Sequence, residues 1–185
     1  MKKIILSISL FFLISHIAFA QSFSNSFGLS LSIIQGKNPS TNSYENVFIQ
    51  KFATYFPRYT LSEKDNSSIS IGVPLSAGIG SVDGANGTFF GVDVPLMFDY
   101  NMGCNSTPDN EKGFGAFFGL GFGYNYTSVT TPFGNGNLYS YGPEAHAGIS
   151  FLVSQKDSRP ITFGVFYKLG LESDKYRTFG FNLLY

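Results

Sequence analysis

The chain has 185 residues and is rich in Phe (21), Tyr (11) and Gly (21), but only 13% of its residues are charged. Soluble domains contain about 25% charged residues, roughly twice that fraction. Twelve basic and twelve acidic residues cancel, and loss of Lys2 and Lys3 with a leader would leave the chain slightly acidic. This balance excludes an electrostatic case for nucleic acid binding.

The amino terminus has the pattern of a secretory signal peptide. Met1-Lys2-Lys3 is followed by a mostly apolar run over residues 4–19, and Ala18-Phe19-Ala20 precedes Gln21. A basic start, an apolar centre and a small-x-small site predict cleavage after Ala20. The alternative, a membrane anchor, is disfavoured because serines and a histidine interrupt the short run. We therefore expect a signal peptide over residues 1–20 and a single domain over residues 21–185.

Few residues of the expected domain could support metal or disulfide chemistry. Cys104 is the only cysteine, so no internal disulfide can form. His146 is the only histidine after the leader, which argues against a His/Cys metal cluster. We expect no cofactor.

Eight segments of alternating large apolar and small or polar residues follow Gln21. A strand places successive side chains on opposite faces, so this period of two predicts strands. After Gln21, no apolar run reaches the roughly 18 residues of a membrane helix. Pro57 suggests a bulge in the second segment, because proline removes a ladder donor. The predicted strands span residues 24–35, 47–61, 67–80, 88–102, 113–129, 138–153, 161–172 and 177–185.

The last segment carries the clearest resemblance. Phe179, Phe181, Leu183 and Tyr185 share one face, and the chain ends on the aromatic residue. This ending resembles the closing strand of Gram-negative outer-membrane β-barrels, and the porin-like small barrel families resemble the whole domain. The resemblance implies an all-β, eight-stranded antiparallel up-and-down transmembrane β-barrel located in the outer membrane. It also implies that these four residues are an assembly signal, with the barrel-assembly machinery and periplasmic chaperones as partners.

Alternation alone leaves open which face points outward. A soluble lipocalin-like ligand binder would hold the large apolar side chains inside. An eight-stranded interior is too narrow for so many aromatic residues, and the opposite rows carry too few charges for a water-facing exterior. We therefore expect the apolar face to meet lipid. With an even strand number both termini would lie in the periplasm, and loops at residues 36–46, 81–87, 130–137 and 173–174 would be extracellular.

The small-residue face also contains most of the charges that are candidates for function. Charges inside a narrow barrel must be paired or hydrated, which predicts either an ion-pair plug or a narrow channel for small solutes or ions. A turn centred near Asp157 would place His146 opposite Lys168, with Glu144 diagonal. The predicted lumen charge cluster consists of Arg58, Asp93, Asp99, Glu144, His146, Lys168 and Glu172.

Two patterns raise the question of catalysis. Glu144, His146 and Ser150 share one face and could form a Ser-His-Glu set, as a lipid A-modifying outer-membrane enzyme would need. That face is the expected lumen and not the lipid side. The glycines in Gly119-Leu120-Gly121-Phe122-Gly123 continue a strand and lack the helix of a dinucleotide loop. We expect a structural or porin-like protein without catalysis.

Overall fold

The computed structural model describes residues 22–37, 44–82, 85–107, 110, 112–131, 134–154, 157–172 and 176–185. The predicted signal peptide lies outside these ranges. The strands are β1 (Ser22–Lys37), β2 (Tyr44–Lys64), β3 (Ser67–Gly72), β4 (Leu75–Val82), β5 (Ala85–Gly103), β6 (Phe114–Thr131), β7 (Gly134–Ser154), β8 (Asp157–Leu169) and β9 (Arg177–Leu184).

The strands form one closed antiparallel sheet. Each strand pairs with its neighbour in sequence, and β3 and β4 together occupy a single place between β2 and β5. The ring closes where β1 pairs with β9, from Gly28 opposite Leu184 to Gln35 opposite Arg177. Phe27 and Tyr185 extend this seam by exchanging two backbone hydrogen bonds of 2.7 Å. The predicted eight-stranded up-and-down barrel is confirmed.

In the described ranges, no helix has the length and apolar character needed to cross a membrane.

Most predicted strands are correct in place but too short. The β6–β7 hairpin is paired as far as Thr131 opposite Gly134, so much of the predicted loop at residues 130–137 is strand. The other expected extracellular loops likewise lie on strand ends or on residues outside the description. The seventh predicted strand is an exception, because β8 ends at Leu169 rather than at residue 172.

The predicted bulge at Pro57 is wrong. Pro57 pairs in regular register with Asn25, and the nearest irregularities in β1 and β2 lie at Gly28/Ser30 and Thr60/Ser62. The interruption occurs instead on the facing strand, between β3 and β4 at Val73 and Pro74. The Pro57 carbonyl still accepts a 3.1 Å hydrogen bond from the Val73 backbone N–H. Pro74 therefore lies within the interruption and Pro57 lies beside it on the facing strand, and neither proline can donate a ladder hydrogen bond.

The two faces of the sheet differ as the alternation predicted. Large apolar side chains cover the outside of the barrel. Leu120 is 55% exposed and Phe118 52%, and each of the other strands around the ring also exposes large apolar side chains. Inward positions are mostly small or polar and are buried, as with Ser30, Thr54, Ser70, Asn125 and Ser150. The large apolar side chains, which would form the core of an ordinary globular domain, therefore face outward in this protein.

Candidate functional site: the charged lumen

A histidine and an aspartate meet inside the barrel across an intervening strand. Asp99 on β5, Gly119 on β6 and His146 on β7 stand side by side in the sheet. His146 Nε2 lies 2.6 Å from Asp99 Oδ1, and both side chains are almost completely buried. A Cβ at Gly119 would overlap both groups. The glycine therefore provides the space in which the pair forms.

A second ion pair also depends on space above a glycine of β6. Lys168 on β8 is 1% exposed, and its Nζ lies 3.3 Å from Asp93 Oδ1 on β5. To reach Asp93, the side chain of Lys168 passes over Gly123 of β6. A Cβ added at Gly123 would overlap both the Lys168 side chain and the Glu144 carboxylate. The inward-facing glycines of β6 thus leave room for the charged side chains of the lumen.

The predicted register between β7 and β8 is wrong by two residues. Lys168 stands directly opposite Glu144, and His146 stands opposite Phe166. Ser154 stands opposite Asp157, and after a register shift between Leu152 and Ser154 the pairing continues two residues away from the predicted register. Glu144, rather than His146, is therefore the cross-strand neighbour of Lys168.

Arg58 lies nearer the end of the barrel that carries the termini. Its two terminal nitrogens donate to Asn101 Oδ1 at 3.3 Å and Asn105 Oδ1 at 2.8 Å. The guanidinium carbon lies 5.1 Å from the centre of the Phe56 ring, a cation–π distance. Asn101 in turn donates to Ser70 Oγ at 2.9 Å.

Glu172 does not share the position of the other predicted cluster members. It follows β8 at the opposite end of the barrel from the termini, and its Oε2 accepts a 3.2 Å hydrogen bond from the Tyr141 backbone N–H. The structure brings His146 to Asp99 and Lys168 to Asp93, with Glu144 beside Lys168. Arg58 occupies a separate polar environment.

Large apolar side chains also point into the lumen. The alternation placed Phe56 and Met97 there, but Phe117 and Phe166 were not identified from the sequence. Phe117 and Phe56 make edge contacts with the His146 ring, at centroid distances of 5.1 and 6.1 Å. Met97 and Phe166 are buried as well. The signal was available in the alternation, because Phe117 adjoins the outward-facing Phe118 and so must point inward.

A chain of hydroxyl groups lines another part of the wall. Ser30 Oγ lies 2.5 Å from both Thr54 Oγ1 and Asn182 Oδ1, and Thr54 Oγ1 lies 3.0 Å from Ser76 Oγ. These contacts link β9, β1, β2 and β4 through side chains alone. Short polar side chains therefore satisfy one another where the lumen contains no charge.

No protein-family model matches the chain, and no curated protein matches its sequence. Solved structures do match. Ail, the attachment invasion locus protein of Yersinia pestis, has a TM-score of 0.50 at 13% identity, covering 88% of this chain and 94% of that one. Ail in complex with the heparin analogue sucrose octasulfate gives 0.53 at 11% identity, with the same coverage. Neisserial surface protein A gives 0.51 at 10% identity, covering 89% and 97%.

The chain has the fold of the small Gram-negative outer-membrane β-barrels. At such low identity the likeness concerns the fold alone. The number of strands, their up-and-down order and the outward apolar face agree with the similarity.

The Ser-His-Glu arrangement does not form an accessible catalytic set in this outer-membrane-type barrel. Ser150 is fully buried, and its Oγ lies 2.9 Å from Thr162 Oγ1. His146 is bound to Asp99 and enclosed by Phe56 and Phe117. A lipid substrate outside the barrel could not reach either side chain.

Cys104 lies in the turn between β5 and β6 of the barrel. The turn begins at Gly103, whose positive φ of 73° suits glycine. Burial raises the pKa of the Cys104 thiol, and its Sγ lies 3.4 Å from the Ser150 carbonyl oxygen. A neutral buried thiol is a packing group rather than a nucleophile. Among the described residues of the barrel, no three His, Cys, Asp or Glu side chains are grouped to hold a metal ion.

Proposed function

We propose that the chain is an outer-membrane β-barrel protein, structural or porin-like, whose lumen is closed by buried ion pairs and aromatic side chains and which performs no catalysis. One observation carries this proposal. The ring of strands exposes large apolar side chains all around its outside and buries its charged side chains within.

The outward apolar surface has a physical explanation in a membrane. Soluble monomers rarely expose apolar patches larger than a few hundred Å². A closed barrel satisfies its backbone groups internally and can therefore place such a surface in lipid. The lipocalin-like alternative would need the reverse arrangement, with the apolar rows facing a ligand inside. The observed burial favours the membrane assignment.

The buried charges favour a closed lumen over a conducting one. Lys168 and Asp93 join β8 to β5, and His146 and Asp99 join β7 to β5, so both contacts fill space over the inner face of the strands between them. Phe117 and Phe56 pack against the second pair. An open aqueous channel would need these groups to separate. A narrow channel for small solutes or ions remains the second candidate, supported by the polar character of the inner face.

Export and assembly belong to the same proposal. The signal peptide over residues 1–20 would direct the chain across the inner membrane, and both termini would then lie in the periplasm. Phe179, Phe181, Leu183 and Tyr185, all exposed on β9 and its end, would be recognised by the barrel-assembly machinery, after passage with periplasmic chaperones. The proposed location is the outer membrane.

Single-channel recording in planar bilayers tests the closed lumen. We expect the native barrel to insert without discrete conductance steps. A variant that combines Lys168→Ala with Asp93→Ala should open steps, because it removes a pair that fills space in the interior. Val165→Ala, on the outer face of the same strand as Lys168, is the matched control and should stay silent. Regular steps from the native protein would replace the structural assignment with the channel.

A further inference from the structure

The barrel end that carries the termini contains a polar cavity unlike the closed middle of the lumen. Its volume is about 290 Å³, close to the lower limit of the roughly 300–1,000 Å³ typical of small-ligand sites. Hydroxyl and amide side chains dominate its walls, including Ser24, Thr60, Ser70 and Asn101. None of the described residues that line it has an acidic side chain. Such a wall offers hydrogen bonds to a small polar ligand.

Arg58 gives the cavity a buried cation with unused hydrogen-bonding capacity. The side chain lines the cavity and is 7% exposed. A guanidinium carries five N–H donors in a planar fork. Asn101 and Asn105 accept one each, and the buried Nε makes no hydrogen bond to the residues that the structure describes. Each terminal nitrogen carries a second N–H beside the one it donates to asparagine, and these N–H groups are the donors available to a ligand oxygen.

The surroundings hold Arg58 ready and add a second positive charge. The two asparagine oxygens and the Phe56 ring hold the plane of the guanidinium. Asp99 also acts electrostatically on Arg58; its Oδ1 is bound to His146, and its buried Oδ2 makes no hydrogen bond to the residues that the structure describes. Arg159 lines the same cavity and is exposed. An incoming anion would therefore meet one cation in the opening and a second inside.

We propose that this cavity binds the oxyanion group of a small soluble molecule, of phosphate or carboxylate type, with Arg58 as the principal donor. Arginine binds such groups through two parallel N–H···O bonds, here from its two terminal nitrogens. The hydroxyl groups of the wall complete the shell. The site goes beyond the structural function proposed above and holds whether or not the lumen conducts.

Nuclear magnetic resonance of the folded barrel in zwitterionic micelles tests the proposal. Inorganic phosphate is titrated against chloride at constant ionic strength, and the Arg58 Nε–H resonance is followed. A saturable shift of that resonance is expected with phosphate. Micelles that contain phosphatidic acid distinguish a lipid headgroup from a soluble anion, and should leave the resonance in place because the cavity opens inside the ring of strands. No saturable shift with phosphate, or a shift with phosphatidic acid alone, would overturn the proposal.

Calorimetric titration of variants with phosphate then shows which residues contribute to the binding affinity. Arg58→Gln should weaken binding about tenfold or more, since a hydrogen bond to a charged group contributes about 1.5–3 kcal/mol. Arg58→Lys should recover only part of the affinity, because an ammonium lacks the planar fork. Arg159→Gln should weaken binding to a smaller extent and provides the test if Arg58 variants do not fold. Lys112→Gln, an exposed charge that does not line the cavity, is the control, and an equal loss there would reduce the site to general charge attraction.

Discussion

At the scale of single residues, glycine determines where the interior charges can go. Gly119 separates Asp99 from His146 in the sheet, and Gly123 lies beneath Lys168. Gly119 lets Asp99 and His146 from the two flanking strands meet over β6, and Gly123 leaves room for Lys168 to extend from β8 toward Asp93. The repeated Gly-x-Gly pattern of β6 thus leaves space for ion pairs. This role differs from that of the glycines in the phosphate-binding loops that the pattern superficially resembles.

Gly119→Val should destabilise the barrel by about 1–3 kcal/mol, the usual cost of overpacking a filled interior. The new side chain would displace the His146–Asp99 pair. Ala116→Val, on the outer face of the same strand, is the control and should change stability little. The midpoint of urea unfolding in micelles measures both. Equal midpoints for the two variants would show that the interior has spare room at Gly119.

Lys168→Met should destabilise the barrel by about 3–5 kcal/mol, because it leaves a buried carboxylate without its cation, and by less if water enters the lumen. The double variant with Asp93→Asn should lose less than the sum of the two single changes, since it removes both charges of the pair. Unfolding midpoints of the four proteins form the cycle. Strict additivity would mean that Lys168 and Asp93 do not interact.

At the scale of the strand, β9 tests which face meets the membrane. Phe181 is 45% exposed on the outer face, whereas Asn182 accepts a hydrogen bond from Ser30 inside. An arginine on the lipid face costs about 2–4 kcal/mol at the membrane midplane. Phe181→Arg should therefore strongly reduce the folded, heat-modifiable band in outer-membrane fractions. Asn182→Arg should be milder, within the limits of lumen space. The reverse order of severity would mean that the apolar face is internal.

The same scale shows what sequence alone could predict. The period of two identified the strands and their faces, because side-chain alternation is a local property of each strand. The contact of His146 with Asp99 could not be predicted, since it depends on the joint register of three strands and on the space above Gly119. The exchange of partners at Lys168 had a smaller cause: β7 and β8 pair in a register that differs by two residues from the predicted one. The bulge predicted at Pro57 was wrong because the interruption lies on the neighbouring strand, between β3 and β4.

At the scale of the whole molecule, the barrel reverses the usual distribution of polarity. Its outside carries the large apolar side chains, and its inside carries hydroxyls, amides and paired charges around a few aromatic rings. Closure of β1 on β9 leaves no free sheet edge among the strands that the structure describes. All of these features are explained together if lipid surrounds the ring of strands.

Carbene photolabelling of the native protein in lipid vesicles tests this central claim most directly. The probe is a phospholipid with a diazirine on its acyl chain, and labelled residues are located by mass spectrometry. The account predicts label on outward residues such as Phe118, Leu120 and Phe122, and none on Asn125 and Thr127, which point inward from the same strand. Label that follows the inward residues, or an unlabelled chain that stays in the aqueous phase, would contradict the membrane barrel.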